Sequence, residues 1–112
     1  MFSLKLKSEQ FEIEQQDGSV KTYEIKELNG RELEDYLNST RNNVILTNGK
    51  VTGMKTFDGM YTNLLMRCTY LLNGDAVLKP DLDLWPSSLQ KDLFDIAQRL
   101  SKLGSDDESK NG

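Results

Sequence analysis

One apolar stripe constrains the fold of this chain more than any other feature of its sequence. Between residues 57 and 72, apolar side chains recur every three or four positions, which is the period of an α-helix. The stripe consists of Phe57, Met60, Tyr61, Leu64, Leu65, Cys68, Leu71 and Leu72. A helix with such a broad apolar face must bury it, so we predict a core helix over residues 57–72. Asn73-Gly74 would end this helix, because glycine readily adopts the left-handed conformation of a helix terminus.

A shorter helix is predicted before the stripe. Asn29 and Glu32 have the spacing of a capping box, in which each side chain bonds to a backbone amide of the other residue. The apolar face that follows consists of Leu33, Tyr36, Leu37, Thr40 and Val44. This helix should pack its apolar face against the core helix.

A third helix is predicted near the C-terminal end, beginning around Pro86 and ending at Gly104. Ser87 and Gln90 offer it a second capping box, and Trp85 is expected to close it onto the core. Its inner face consists of Leu89, Leu93, Ile96, Ala97, Leu100 and Leu103. The preceding segment, residues 75–85, is interpreted as a connector.

Alternation of apolar and polar residues predicts strands in the first part of the chain. Phe11 and Ile13 alternate with glutamates, and Val20–Ile25 returns after Asp17-Gly18, a pair suited to a tight turn. We therefore predict a β-hairpin. Phe2–Leu6 alternates in the same way, and the pattern leaves open whether it forms a third strand.

A second hairpin is predicted around Asn48-Gly49, since this dipeptide between apolar runs is a strong hairpin signal. The alternative for residues 44–54 is a mobile loop between helices. Together, these elements predict one α+β domain over residues 1–104, with an N-terminal hairpin packed against three main helices. Residues 105–112 are polar and acidic, and we expect them to form a disordered tail.

The composition argues against several classes of function. The chain has no histidine, a single cysteine and a net charge of −4, so it lacks the usual general base, a disulfide and the basic surface that nucleic acid requires. No glycine-rich phosphate loop is present, and Asp81-Leu82-Asp83 begins a calcium-loop pattern that Pro86 and Asp92 break. We therefore expect no enzyme activity, cofactor, metal or nucleic-acid partner.

The sequence also lacks the features of a membrane or exported protein. No apolar run approaches the roughly 18 residues of a membrane span, and the N-terminus lacks the pattern of a signal peptide. We expect a cytoplasmic protein whose mature form is the translated one.

Three large side chains are candidates for protein contacts. On the predicted core helix, Met66 and Tyr70 are four residues apart and opposite the apolar stripe, and Phe94 lies off the stripe of the third helix. Apolar residues placed outward on helices with complete inner faces indicate contact with another protein or a second copy. The alternative is that the hairpins or the N-terminal strands cover them.

The order of these elements resembles the tail assembly chaperones of long-tailed bacteriophages and prophages. The resemblance spans residues 10 to 103 and rests on the segments Ile25–Leu33, Leu64–Cys68, Asn73-Gly74, Leu84–Pro86 and Ile96–Leu103. It involves element order and apolar positions, and it carries no invariant catalytic motif.

This resemblance implies a morphogenesis protein of the infected bacterial cytoplasm. Such a protein binds the long, apolar tape measure protein, helps recruit tail tube subunits and is absent from the mature virion. Many members are made in two lengths, and the polar segment after the third helix is consistent with the short form. The alternatives are a structural head–tail connector or minor tail protein, and a small regulator that binds a host protein.

Overall fold

A three-stranded antiparallel sheet and four α-helices build the protein, which confirms the predicted α+β class. The structure is a computed structural model and describes residues 1–55 and 58–103. The sheet has the order β1-β2-β5, formed by Ser8–Glu14, Val20–Lys26 and Thr69–Leu71. A second, two-stranded sheet pairs β3 (Val44–Thr47) with β4 (Lys50–Met54). The helices are α1 (Gly30–Thr40), α2 (Met60–Leu65), α3 (Lys79–Asp83) and α4 (Ser87–Leu100), and a 3₁₀ turn follows α1 at Arg41–Asn43.

Both predicted hairpins are present. Strands β1 and β2 pair from Ser8 with Lys26 to Glu14 with Val20, and Gly18 adopts a φ of 87° in the turn between them. In the second hairpin, Asn48 and Gly49 both have positive φ, as a tight turn requires. Residues 44–54 therefore form a hairpin, and not the mobile loop that was the alternative.

The first helix begins as predicted. The Asn29 side chain accepts from the Glu32 amide at 2.9 Å, and the Glu32 carboxylate accepts from the Asn29 amide at 2.9 Å. Tyr36 and Thr40 are fully buried, whereas Leu37 is exposed, so only part of the predicted face reaches the core.

The long core helix was predicted wrongly. Helix α2 ends at Leu65, the chain turns, and Thr69–Leu71 forms strand β5, which pairs with β2. A β-branched and an aromatic residue in succession favour a strand, and the free edge of β2 supplies the hydrogen bonds that make it stable. Leu64, Leu65 and Cys68 are buried as the stripe predicted, the first two on α2 and Cys68 in the turn before β5. Phe57 lies outside the described residues.

The C-terminal part contains two helices where one was predicted. Lys79–Asp83 in the supposed connector forms α3, with Pro80 in its first turn, where its missing amide costs nothing. Helix α4 follows closely, but the predicted Ser87 capping box does not form. Instead, the side-chain amide of Gln90 donates to the carbonyls of Leu82 and Trp85, both at 3.0 Å, and connects the two helices.

The core lies between the sheet and helices α2 and α4. It contains Tyr23, Ile25, Leu28, Tyr36, Leu64, Leu65, Cys68, Val77, Leu82, Leu93, Phe94, Ala97 and Leu100. The third strand of the main sheet is β5, while residues 2–6 form no strand, which answers the question that the alternation left open. The predicted disordered tail, residues 105–112, lies outside the described residues.

Candidate protein-binding site

Phe94 does not lie on the surface, so its predicted outward position is wrong. Its side chain is 4% exposed, and its ring lies 5.0 Å from the Tyr61 ring, tilted by 58°. Phe94 is only one residue from Leu93 on the helix, and a helix covered by α2 on one side and the sheet on the other buries both. The apolar face of α4 is therefore wider than the stripe of period 3.6 indicated.

Met66 and Tyr70 are half-buried and lie on different elements. Met66 caps the C-terminal end of α2 and packs against the core, whereas Tyr70 is the middle residue of β5. The Tyr70 hydroxyl donates to the Arg67 carbonyl at 3.4 Å, and the Lys26 ammonium lies 5.0 Å from its ring centroid. Burial raises the pKa of Tyr70, in keeping with this partly covered position. The helical spacing that paired Met66 with Tyr70 does not exist in the fold.

A different surface has the features of a binding site: an open groove of about 730 Å³ at the turn end of the first hairpin. Helix α4 runs along the sheet. Near its start, the Trp85 ring contacts Tyr23, and just after its end the Ser101 hydroxyl accepts from the Leu28 amide at 2.9 Å. Strand β5 pairs only with the second half of β2. The turn end of the hairpin thus projects beyond both neighbours, and its inner face stays uncovered.

Apolar side chains form the floor and one wall of the groove. Ile13, Tyr23 and Leu71 contribute from the sheet, and Leu84, Trp85 and Leu89 from the α3–α4 segment. The Trp85 ring packs edge-on against Tyr23 at 5.2 Å, and Tyr23 stacks on Phe11 at 5.5 Å, so the floor is rigid. Leu84 is 85% exposed at the edge of this surface. An apolar floor that contains a tryptophan and is bordered by polar side chains has the features of a protein contact site.

Acidic side chains surround this apolar floor. Glu14, Asp17 and Asp81 line the groove together with one lysine, Lys21. The Asp17 carboxylate accepts from the Ser19 hydroxyl at 2.6 Å and from the Ser19 amide at 2.9 Å, and these bonds lower its pKa. Asp17 therefore stays ionised well below neutral pH. The groove suits an apolar segment that carries positive charge at its edges.

The turn that carries this rim is held by its own backbone. The Gln15 amide donates to the Ser19 carbonyl at 2.6 Å, and the Gly18 amide donates to the Gln15 carbonyl at 2.9 Å. These bonds fix the positions of Asp17 and Ser19 relative to the apolar floor. The site is preformed, which reduces the entropy lost when a partner binds.

The one cysteine is placed where it cannot act as a nucleophile. Cys68 is 2% exposed, and its thiol donates to the Leu64 carbonyl at 3.5 Å. Burial raises the pKa of this thiol to about 12, so the reactive thiolate is scarce at neutral pH. Its interpretation as a core residue is confirmed.

Sequence reasoning missed the groove because its residues come from three separated segments. One signal was available: Leu84 lies outside every apolar stripe and directly precedes Trp85-Pro86. Trp85 packs on the core residue Tyr23, as its predicted role of closing the helix onto the core requires, and it also lines the open groove.

The comparisons with known proteins add no relative to this description. A scan against protein-family models finds no match, and searches of curated proteins and of solved structures find no similar protein. Within residues 1–55 and 58–103, no helix has the length and apolar character needed to cross a membrane.

Proposed function

We propose that this chain is a tail assembly chaperone of a long-tailed bacteriophage or prophage, acting in the host cytoplasm. Its client is the tape measure protein, which it keeps soluble while tail tube subunits are recruited, and it leaves before the virion is complete. The resemblance of residues 10 to 103 in apolar positions suggests this family, while the element order differs from the predicted one, with β5 in place of the end of the core helix and α3 in the connector.

The observation that carries the proposal is the acidic-rimmed apolar groove. A tape measure protein is long and apolar, and many weakly bound copies of a small chaperone can cover it and still be displaced during assembly. A preformed groove with one exposed leucine, a tryptophan and a charged rim provides a contact of this modest strength. Basic residues beside the apolar segments of the client would pair with Glu14, Asp17 and Asp81.

Co-expression with a candidate tape measure protein tests the proposal. The client should be soluble with the wild-type chain and precipitate without it. Leu84→Gln should weaken client binding by about tenfold or more, because it replaces an apolar contact by a polar one. Leu78→Gln is the matched control, since Leu78 is also exposed, at 63%, and lies at the opposite end of α3.

Two outcomes would contradict the proposal. Equal client solubility with and without the chain would exclude a chaperone role, and equal binding by both variants would exclude the groove. Mass spectrometry of purified virions separates the chaperone from the alternative of a connector or minor tail protein, because only a structural component remains in the particle.

A further inference from the structure

Residues 1–7 form an arm in which Phe2 and Leu4 are fully exposed and Leu6 is partly covered within the described chain. Phe2 and Leu4 are each 103% exposed and Leu6 is 43% exposed, while Ser3, Lys5 and Lys7 alternate with them. The backbone bends at Leu4-Lys5, and straightening it on binding would place the three apolar side chains on one face, since they alternate with a period of two. Such a face exposed to water indicates a missing partner surface.

The arm leaves its own sheet at the end opposite the groove. The Lys7 carbonyl accepts from the Glu27 amide at 2.7 Å, and the Lys7 amide donates to the Glu27 carboxylate at 2.9 Å. These bonds continue the β1–β2 register and direct the arm away from the hairpin turn. Strand β1 separates the arm from Glu14 by seven residues, or roughly 24 Å of extended chain.

The arm is too short to reach the groove of its own molecule. From the attachment at Lys7, the chain back to Phe2 spans at most about 18 Å, and a reversal of direction would use two or three of these residues. The remaining residues would reach only the middle of β1, short of Leu84 and Trp85. The groove of a second molecule has no such limit.

The chemistry of the arm matches that of the groove. Phe2 and Leu4 fit a floor of aliphatic and aromatic side chains, and Lys5 and Lys7 meet a rim with three carboxylates and one lysine. The carboxylates of the rim are ionised at neutral pH as exposed aspartates and glutamates ordinarily are, so the attraction holds there.

We propose that the 1–7 arm of one molecule occupies the hairpin–α4 groove of a second copy. When two copies align antiparallel, the arm end of each lies beside the groove end of the other, so reciprocal exchange closes a twofold dimer. The inference concerns the free protein and does not depend on any client, so self-association and client solubilisation can fail separately.

Sedimentation equilibrium of the full chain, at several protein and salt concentrations, tests this exchange. The wild type should dimerise, and added salt should weaken the dimer because its charged contacts lie near solvent. The arm variant Phe2→Ser/Leu4→Ser should raise the dissociation constant by about a hundredfold or more. At protein concentrations low enough for the wild type to be monomeric, its thermal melt should match the wild type, since both side chains are fully exposed in the monomer.

A complementation experiment shows whether the arm and the groove meet in different molecules. The groove variant Leu84→Gln and the arm variant should each be largely monomeric, whereas an equimolar mixture should form a one-armed heterodimer. Leu78→Gln is the control and should dimerise like the wild type. A monomeric wild type, a dimeric arm variant or a mixture that stays monomeric would each overturn the proposal.

Discussion

The substitution Phe94→Ala measures how deeply this ring lies in the core. The side chain is 4% exposed and packs against Tyr61. A phenylalanine in such a position hides roughly 150 Å² of apolar surface, which at about 25 cal/mol per Å² is worth about 4 kcal/mol. Truncation also leaves a cavity, so we expect the free energy of unfolding to fall by about 3–5 kcal/mol. A small domain has only about 5–15 kcal/mol in total, so the variant should be close to unfolding.

Urea unfolding followed by circular dichroism at low temperature provides the measurement. The midpoint should move to much lower urea with little change in slope, because the surface exposed on unfolding is nearly the same. Leu78→Ala is the control, since Leu78 is 63% exposed and lies outside the groove, and its truncation should change the free energy by less than about 0.5 kcal/mol. A loss below about 1 kcal/mol for Phe94→Ala would refute the core position and return the residue to the surface.

Three further predictions concern the first helix, the buried thiol and the first turn. Asn29→Ala should lower the free energy of unfolding by about 1 kcal/mol in urea titrations, because it removes the capping box, and an unchanged midpoint would contradict this. Cys68 should resist a thiol reagent at pH 8 until denaturant is added, and fast labelling of the folded chain would contradict its burial. The pKa of the Cys68 thiol rises from 9.0 to about 12 on folding, so its contribution to stability is complete below pH 9 and is lost as the pH rises toward 12. Between pH 9 and pH 12, the free energy of unfolding of Cys68→Ala should therefore fall less steeply with pH than that of the wild type. Gly18→Ala should cost about 1 kcal/mol in the same titrations, since Gly18 has a φ of 87°, whereas Gly30→Ala at a helical position should not.

Local signals predicted well wherever the neighbouring residues decide the outcome. Asn29 with Glu32 and the turns at Gly18 and Gly49 act within four residues, and all three features are present. The helix α4 was also found, because its stripe is long. The prediction that 105–112 are disordered and that 1–104 form one domain remains a prediction.

The binding site was harder to predict because it depends on contacts between distant residues. Periodicity could not show that β2 offers a free edge to Thr69–Leu71, which is what turns the end of the stripe into a strand. Nor could it show that Phe94 is covered from two sides. The resemblance to tail assembly chaperones gave no site residues, so the choice of Met66, Tyr70 and Phe94 rested on helical geometry alone.

The change from helix to strand explains both why Met66 and Tyr70 do not share a helix face and why the groove exists. A helix continuing to residue 72 would have set Met66 and Tyr70 on one outer face. As a strand, the segment is only three residues long and pairs with β2 from Tyr23 to Ile25. The hairpin is longer than this partner, so its turn end extends past Leu71 and past the start of α4, and the groove is the space that remains. A longer β5 or an earlier start of α4 would fill the groove, so the short strand is what makes this surface available to a partner.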